Sequence, residues 1–459
     1  MSQTIVSDLR DALTAIVGAQ HVLDVPASSH YNHDATIAGG RRGQALLAVR
    51  PGSTAQVAEV VRSLYEREVP IVPRGGGSGL AGGAVPCAGS VVCSLERMTA
   101  VRELSPRSWR MHVEAGLTTA HVHRLARENG LLFPPDPGAS EQSQIGGNVA
   151  TNAGGPHAFK YGATRDWVTG IEAVLAGGEI VQLGGACRKD VGGYDLRGLL
   201  IGSEGTLGVI TAVQLRLTPA PEQAIVLVAF FDSEARGCEA ILEVLGSGVL
   251  AAALDFLDGA TLRAATRTYP GQVPPEAAFA LLIEVDGSAA QTQADRDELL
   301  NTLAPICLGV QEPASGELWR WRDGINPLVA AIDGGKVGED VVVPVERLHD
   351  LLRGFEAIAA ENGLKSCAWG HGADGNVHAN VLIDPRSERD QQAVARVGDR
   401  LLDLVVAMGG AISGEHGLGL IKSGGQLSKQ WNQAAIRLHQ KVKQEFDPKG
   451  LFNPGKKLP

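Results

Sequence analysis

Ser143-Gln-Ile-Gly-Gly-Asn-Val-Ala-Thr-Asn-Ala-Gly-Gly155 is the stretch on which the reading of this chain turns. Gly, Asn and Thr packed this densely suit a backbone pressed against a flat ring system, with amides hydrogen-bonding its polar edge. Pro134-Pro-Asp-Pro-Gly138 precedes it and Lys160-Tyr-Gly-Ala-Thr-Arg-Asp166 follows it. From 131 to 162 the chain shows no regular apolar period. A connection that long is uncommon in a compact domain unless it is functional or disordered.

Upstream, Pro73-Arg-Gly-Gly-Gly-Ser-Gly-Leu-Ala-Gly-Gly83 follows the apolar run Val69 to Val72, which reads as a strand. Consecutive glycines let neighbouring backbone N–H groups converge into an anion-binding nest. The missing Cβ atoms also let a pyrophosphate approach closely. No long helix opens out of the loop, so it is not a Rossmann fingerprint. It also lacks the Gly-Lys-Ser/Thr ending of a Walker A loop. By itself it is equally an ordinary flexible loop. Downstream, Ile201-Gly-Ser-Glu-Gly-Thr-Leu-Gly-Val-Ile-Thr211 reads by itself as a turn and a strand.

At 459 residues the chain is too long for one compact core, and two or three domains are expected. Its 44% apolar content fits a globular protein. A net charge of -10 gives no electrostatic footprint for nucleic acid. The cysteines Cys87, Cys93, Cys187, Cys238, Cys307 and Cys367 include no Cys-x-x-Cys pair. That argues against a zinc ribbon and an iron–sulfur cluster, and reads as the reduced thiols of a cytoplasmic protein. No apolar run reaches the length of a membrane span. The N-terminal stretch carries Asp8 and Asp11 and has Leu9, Leu13 and Ile16 at helical spacing, unlike a targeting peptide.

Helices are expected from Thr54 to Glu68 after a Ser53 cap, from Thr118 to Gly130, from Glu234 to Leu245 and from Asn432 to Phe446. Strands are expected at 45–49, 91–95, 110–114, 168–181, 208–217, 225–231 and 279–285. Pro219-Ala-Pro221 marks a boundary. Beyond it, alternating strands and helices point to an antiparallel sheet with helices on one face.

The second half carries His371-Gly-Ala-Asp-Gly-Asn-Val-His378. Asp374-Gly375 is a hairpin signal, which puts His371 and His378 near its mouth and roughly opposite each other. Two imidazoles so placed can share a divalent metal. Ser413-Gly-Glu-His-Gly-Leu-Gly419 offers Glu415 as a third ligand, with His416 beside it. Two His and a carboxylate describe an open, catalytic site. Leu318-Trp-Arg-Trp-Arg-Asp-Gly-Ile-Asn326 leads to Lys336 and to Glu339-Asp-Val-Val-Val-Pro344. Arg suits carboxylate recognition, and both Arg320 and Arg322 are candidates.

In order and spacing, these blocks resemble the FAD-linked oxidases of the vanillyl-alcohol-oxidase or PCMH type, and among them the D-2-hydroxyacid dehydrogenases acting on D-lactate, glycolate or D-2-hydroxyglutarate. The resemblance covers nearly the whole chain. It implies an α+β protein: a PCMH-type FAD-binding domain of two α/β subdomains over 1–220, an antiparallel substrate domain over 221–415, and a C-terminal helical segment over 416–459 that returns to the FAD domain. It further implies that Arg74, Gly75, Gly76, Gly77, Ser78, Gly79 and Gly82 hold the FAD pyrophosphate. Pro135, Asp136, Gly146, Gly147, Asn148, Thr151, Asn152, Gly154, Tyr161, Gly162 and Thr164 would line the flavin and ribityl chain. Glu204, Gly208 and Ile210 would close the adenine side, with Asn453 and Lys456 in the returning segment. Covalent relatives carry a His beside the glycine pair of the first loop. Gly77 and Ser78 stand there, which points to non-covalent FAD. His371, His378 and Glu415 match ligands of zinc or a similar divalent ion, and His416 matches the catalytic base. Arg322, Asn326, Lys336 and Asn380 fall at substrate-binding positions, with Asn326 where relatives tend to have Thr.

The implied reaction is oxidation of a D-2-hydroxy acid to the 2-oxo acid. Electrons would pass through flavin to an electron-transfer flavoprotein, a quinone or a cytochrome. Two other readings are the flavin subunit of a multi-subunit glycolate oxidase and a non-redox synthase of the same fold. A homodimer stays open.

Overall fold

The computed structural model describes residues 3–36, 40–332, 334–422 and 424–458. They form two compact units. One comprises Met1–Gly155, Gly162–Ala220 and Glu415–Pro459, the other Pro156–Tyr161 and Pro221–Gly414.

Among the described residues, the first unit contains two main sheets beside a two-stranded pairing of Leu131–Leu132 with Thr218–Pro219. The smaller runs in the order Val22–Asp24, Leu47–Val49, Val91–Ser94, Ile71–Arg74, with its last three strands parallel. Parallel strands need a crossover, and the helix Thr54–Glu66 supplies it from Leu47–Val49 to Ile71–Arg74, the two strands that flank Val91–Ser94. Ser53 caps this helix by accepting the Gln56 N–H, and Val57, Val60, Val61 and Leu64 form its buried stripe. The strand Ile71–Arg74 delivers the chain straight into the Gly-rich loop.

The larger sheet is antiparallel, ordered Val101–Ser105, Arg110–Glu114, Val209–Arg216, Val168–Val174, Ile180–Gly184. The run 168–181, expected as one strand, is two. The chain reverses at 176–178, where Gly177 and Gly178 take φ of 74° and 83°. Only glycine adopts such angles at no steric cost, so these two residues set the turn.

The region 131–162 is not wholly irregular, for it contains the helix Ile145–Thr151. Two glycines in seven residues make a poor helix in isolation. Tertiary contacts hold it. The Ile145 and Gly146 N–H groups donate to the Leu117 and Ala115 carbonyls at 2.9 and 2.8 Å. It ends at Asn152, which is left-handed at φ 54°.

The second unit is a seven-stranded antiparallel sheet in the order Gly309–Gln311, Gln223–Phe231, Phe279–Gly287, Ala253–Asp258, Lys365–His371, Asn376–Leu382, Lys336–Val342. Glu234–Gly246, Ala289–Leu303, Leu348–Glu361 and Glu388–Ala407 form its helical layer. Phe256 and Phe279 stack beneath that layer, ring centroids 5.6 Å apart. Gly237 lies so close that a Cβ there would sit 2.0 Å from Phe279. Three shorter helices add to the other face: Leu262, Leu318, Trp321 and Ile325 pack with Val228, Phe230 and Leu282. The period of two places Asp255, Glu284, Asp286, His371, His378 and Asn380 on this second face too, beyond the apolar cluster.

Phe256 is fully buried, so Phe256→Ala is expected to destabilise the protein by about 3–5 kcal/mol. Urea unfolding followed by circular dichroism measures this. An unchanged midpoint would contradict the packing described.

Candidate active site

The first unit holds a cavity of about 920 Å³, counted out to its open mouth. Three sequence motifs converge on it. Arg74, Gly75, Gly76, Gly77, Ser78 and Gly79 come from the first, Gly146, Gly147, Asn148 and Thr151 from the second, and Glu204, Gly208 and Ile210 from the third. His416 lines it as well.

The glycines of this wall do two different jobs. Gly76, Gly77 and Gly146 are pressed against protein. A Cβ on them would meet Gln142 O at 1.8 Å, Arg74 Nη2 at 2.0 Å and Ala115 Cβ at 2.6 Å respectively. Gly79, Gly83 and Gly147 open onto the cavity, with nothing within 4 Å of where a Cβ would stand. Side chains there would fill the cradle. Gln144 supplies a polar edge, because its Oε1 is buried in the wall and no donor among the described residues reaches it. An unmet buried acceptor costs about 1–3 kcal/mol, which favours a ligand that brings an N–H. FAD fits this arrangement: an anionic pyrophosphate for the glycine nest, and a flat ring with donors on its edge.

Other residues expected at the cofactor shape the loops behind the wall. Gly82 takes φ 79° and faces Leu420. The Pro135 carbonyl accepts from the His123 ring at 2.8 Å, and Asp136 lies against Gly155. Asn152 Oδ1 accepts the Arg165 N–H at 2.8 Å, and Thr164 Oγ1 donates to the Ala153 carbonyl at 2.7 Å. Gly162, at φ 79°, abuts Asp166, and Gly154 is buried in the same loop. Tyr161 belongs to the second unit, where its hydroxyl donates to Asp286 Oδ2 at 2.7 Å.

Glu204 is buried and left-handed at φ 54°. Its carboxylate accepts the Leu418 and Gly419 N–H groups at 3.0 and 2.7 Å, and Lys457 Nζ at 3.2 Å. It therefore anchors the segment carrying His416. Asn453 Nδ2 donates to the Gly83 and Glu204 carbonyls at 2.8 and 2.7 Å, joining two walls of the cavity. Lys456 Nζ donates to Asn453 Oδ1, and burial brings this lysine down to about 8.

In the second unit, His371 and His378 meet edge to face with ring centroids 5.4 Å apart. They are diagonal rather than opposed: His371 faces Asn376 across the hairpin, and His378 faces Trp369. A turn at Gly372–Asp374, closed by Gly375 at φ 67°, sets this register. His371 Nδ1 donates to Asp255 Oδ1 at 2.7 Å, so a metal bond would fall to Nε2. Arg322 Nε donates to Asp255 Oδ2 at 2.6 Å. Burial alone would raise the Asp255 carboxyl, but Arg322 and His371 outweigh it and hold it well below the usual range. Two imidazoles with one oriented by a carboxylate are a donor set suited to zinc or a similar ion.

Of the expected substrate residues, Lys336 and Asn380 come together. Lys336 Nζ donates to Asn380 Oδ1 at 2.6 Å and lies 5.2 Å from the centre of the Trp369 ring. Burial brings this ammonium down to about 8. Arg322 is joined to Asp255, Arg320 is exposed, and Asn326 is exposed on the helix Ile325–Ala330. In the first unit, Glu415 Oε1 lies 3.9 Å from His416 Nε2.

The sequence reading passed over Asp255, Gln144 and Gly83. A carboxylate inside the apolar run Ala253–Asp258 was the available signal for Asp255, since a buried charge must be partnered. Gln144 and Gly83 carried none, because both lie within motifs already rich in such residues.

A model of FAD linked oxidases, C-terminal domain, matches residues 220–457, and one of an FAD binding domain matches 45–184. The chain is 32% identical to glycolate oxidase subunit GlcD of Bacillus subtilis (strain 168) over 98% of its length and 97% of the relative's. It is 33% identical to D-lactate dehydrogenase of Anaerostipes hadrus, covering 93% and 92%. A solved structure of p-cresol methylhydroxylase with substrate bound shares the PCMH-type fold, with a TM-score of 0.82 and 18% identity over 100% of this chain and 97% of that one. The chain belongs to the FAD linked oxidases.

The two kinds of glycine make a paired prediction. Gly147→Leu fills open space and should yield a folded, colourless protein, read as flavin absorbance per chain. Gly146→Leu should instead lower the melting temperature, because overpacking costs roughly 1–3 kcal/mol. The reverse pattern would contradict the placement of the cavity.

Proposed function

We propose that this FAD linked oxidase oxidises a small D-2-hydroxy acid of the D-lactate or D-2-hydroxyglutarate type to the 2-oxo acid, passing electrons to an acceptor other than NAD. The observation that carries the reading is His416, a base candidate in the wall of a cavity fit for FAD. Bound there, FAD supplies a hydride acceptor, and a divalent ion on His371, His378 and Glu415 would supply Lewis acidity at the substrate hydroxyl.

The chain's own groups do the rest. His416 takes the hydroxyl proton as general base. Lys336 and Asn380 grip the substrate carboxylate, the lysine as a desolvated point charge. Asp255 fixes the tautomer and orientation of His371. Arg322 Nε donates to Asp255 and so steadies the carboxylate that orients His371.

The likeness to a glycolate oxidase subunit favours a second reading, in which the chain is the flavin subunit of a larger assembly. All six cysteines are free thiols, so in that reading a partner carries any iron–sulfur cluster. No helix among the described residues is long and apolar enough to cross a membrane.

Turnover with a dye acceptor tests the assignments. His416→Ala should lower kcat by about 10²–10⁴-fold while the protein stays yellow. A variant that keeps most of its turnover removes His416 from the role of base. Because burial lowers the Lys336 pKa, its ammonium is lost as pH rises through about 8. KM for the hydroxy acid should therefore climb above that pH, and Lys336→Met should give a high KM without the climb. A flat wild-type KM up to pH 9.5 (roughly a unit and a half past that midpoint) would count against carboxylate binding by Lys336.

A further inference from the structure

We propose that Asp340 is a positioning residue that sets two parts of the metal-binding machinery at once: the strand presenting His378 and the turn from which Glu415 and His416 emerge. This rests on the metal-assisted reading above. Asp340 lies within the strand Lys336–Val342, directly across from His378. Its side chain is 1% exposed, and Oδ1 stands 3.9 Å from His378 Nδ1.

A carboxylate buried this deeply needs donors, and it has them from two other segments. Asn376 Nδ2 donates to Oδ1 at 2.8 Å and to the Val341 carbonyl at 3.1 Å. Asn376 is the residue facing His371 across the hairpin, so the same contact sets the hairpin's register. Ser413 Oγ and the Gly414 N–H donate to Oδ2 at 3.0 and 2.9 Å. The turn is pressed onto this pair: a Cβ at Gly414 would lie 1.9 Å from Asn376 Nδ2 and 3.0 Å from Asp340 Oδ1. Ala411 pairs with Val342 in both directions, anchoring the same segment two residues earlier.

Glu415 and His416 follow Gly414 in the chain. Where the backbone stands at Gly414 fixes where both side chains begin. The two oxygens of Asp340 accept three hydrogen bonds between them, and these join the strand to the turn. Asp255 contacts His371 directly at 2.7 Å, whereas Asp340 works through the strand and the turn. Outer carboxylates of this kind typically govern metal affinity by 10–100-fold.

The test uses the full-length, FAD-loaded protein, stripped of metal with a chelator and dialysed against buffered Zn2+, with bound zinc measured by atomic absorption. Asp340→Asn keeps size and loses charge. It should weaken zinc binding by about 10–100-fold, with flavin content unchanged. Ser413→Ala removes one of the donors and should weaken it less. Melting temperatures are recorded alongside. An Asp340→Asn protein with a lower melting temperature and wild-type zinc affinity would make the residue merely structural and overturn the inference alone. If that variant does not fold, Ser413→Ala carries the test, and unaltered zinc affinity there overturns it. A wild-type protein that takes up no zinc overturns the metal reading and this inference together.

Discussion

A buried negative charge must be met by donors or it will not stay buried. Glu204 meets that requirement with the backbone of Leu418 and Gly419, and the first unit depends on it. The carboxylate cannot accept those N–H groups unless the chain after Gly417 folds back onto the turn at 204. That return brings His416 into the cavity wall. Asn453 then ties the same turn to Gly83, closing the Gly-rich loop against it. A residue that lines the cavity thus also holds the segment that carries His416.

The second unit solves the same problem twice. Asp255 accepts from His371 and Arg322, and Asp340 accepts from Asn376, Ser413 and Gly414. Each places a buried carboxylate behind an imidazole on one face of an antiparallel sheet. The rest of that face is apolar, packed under Leu318, Trp321 and Ile325. The polar end is therefore held by hydrogen bonds to atoms whose positions the core already fixes. Such support is what a binding site needs to keep its geometry.

Much of this was legible in the chain. Period and capping gave the helix Thr54–Glu66 its start at Ser53, and Asp374-Gly375 announced the hairpin that brings His371 and His378 together. Three glycine-rich motifs pointed to one cavity, and most of their residues line it. Elsewhere tertiary contacts overrode local signals. The helix Ile145–Thr151 has almost no helical propensity and exists because Ala115 and Leu117 accept its first N–H groups. The reversal at Gly177 and Gly178 interrupts a run that alternates like a single strand. Arg322 looked like a substrate anchor because Arg suits carboxylates. Its Nε also donates to Asp255, from a strand 67 residues away, a partner that no local pattern reveals.

Direct transfer of the substrate's α-hydrogen to flavin is the central claim. Single-turnover mixing of the yellow protein with a D-2-hydroxy acid under anaerobic conditions tests it most directly, using protiated and C2-deuterated substrate. The flavin absorbance should bleach fully, several-fold more slowly with deuterium, and the L-enantiomer should leave it yellow. A flavin that dithionite reduces but no 2-hydroxy acid bleaches would contradict the account.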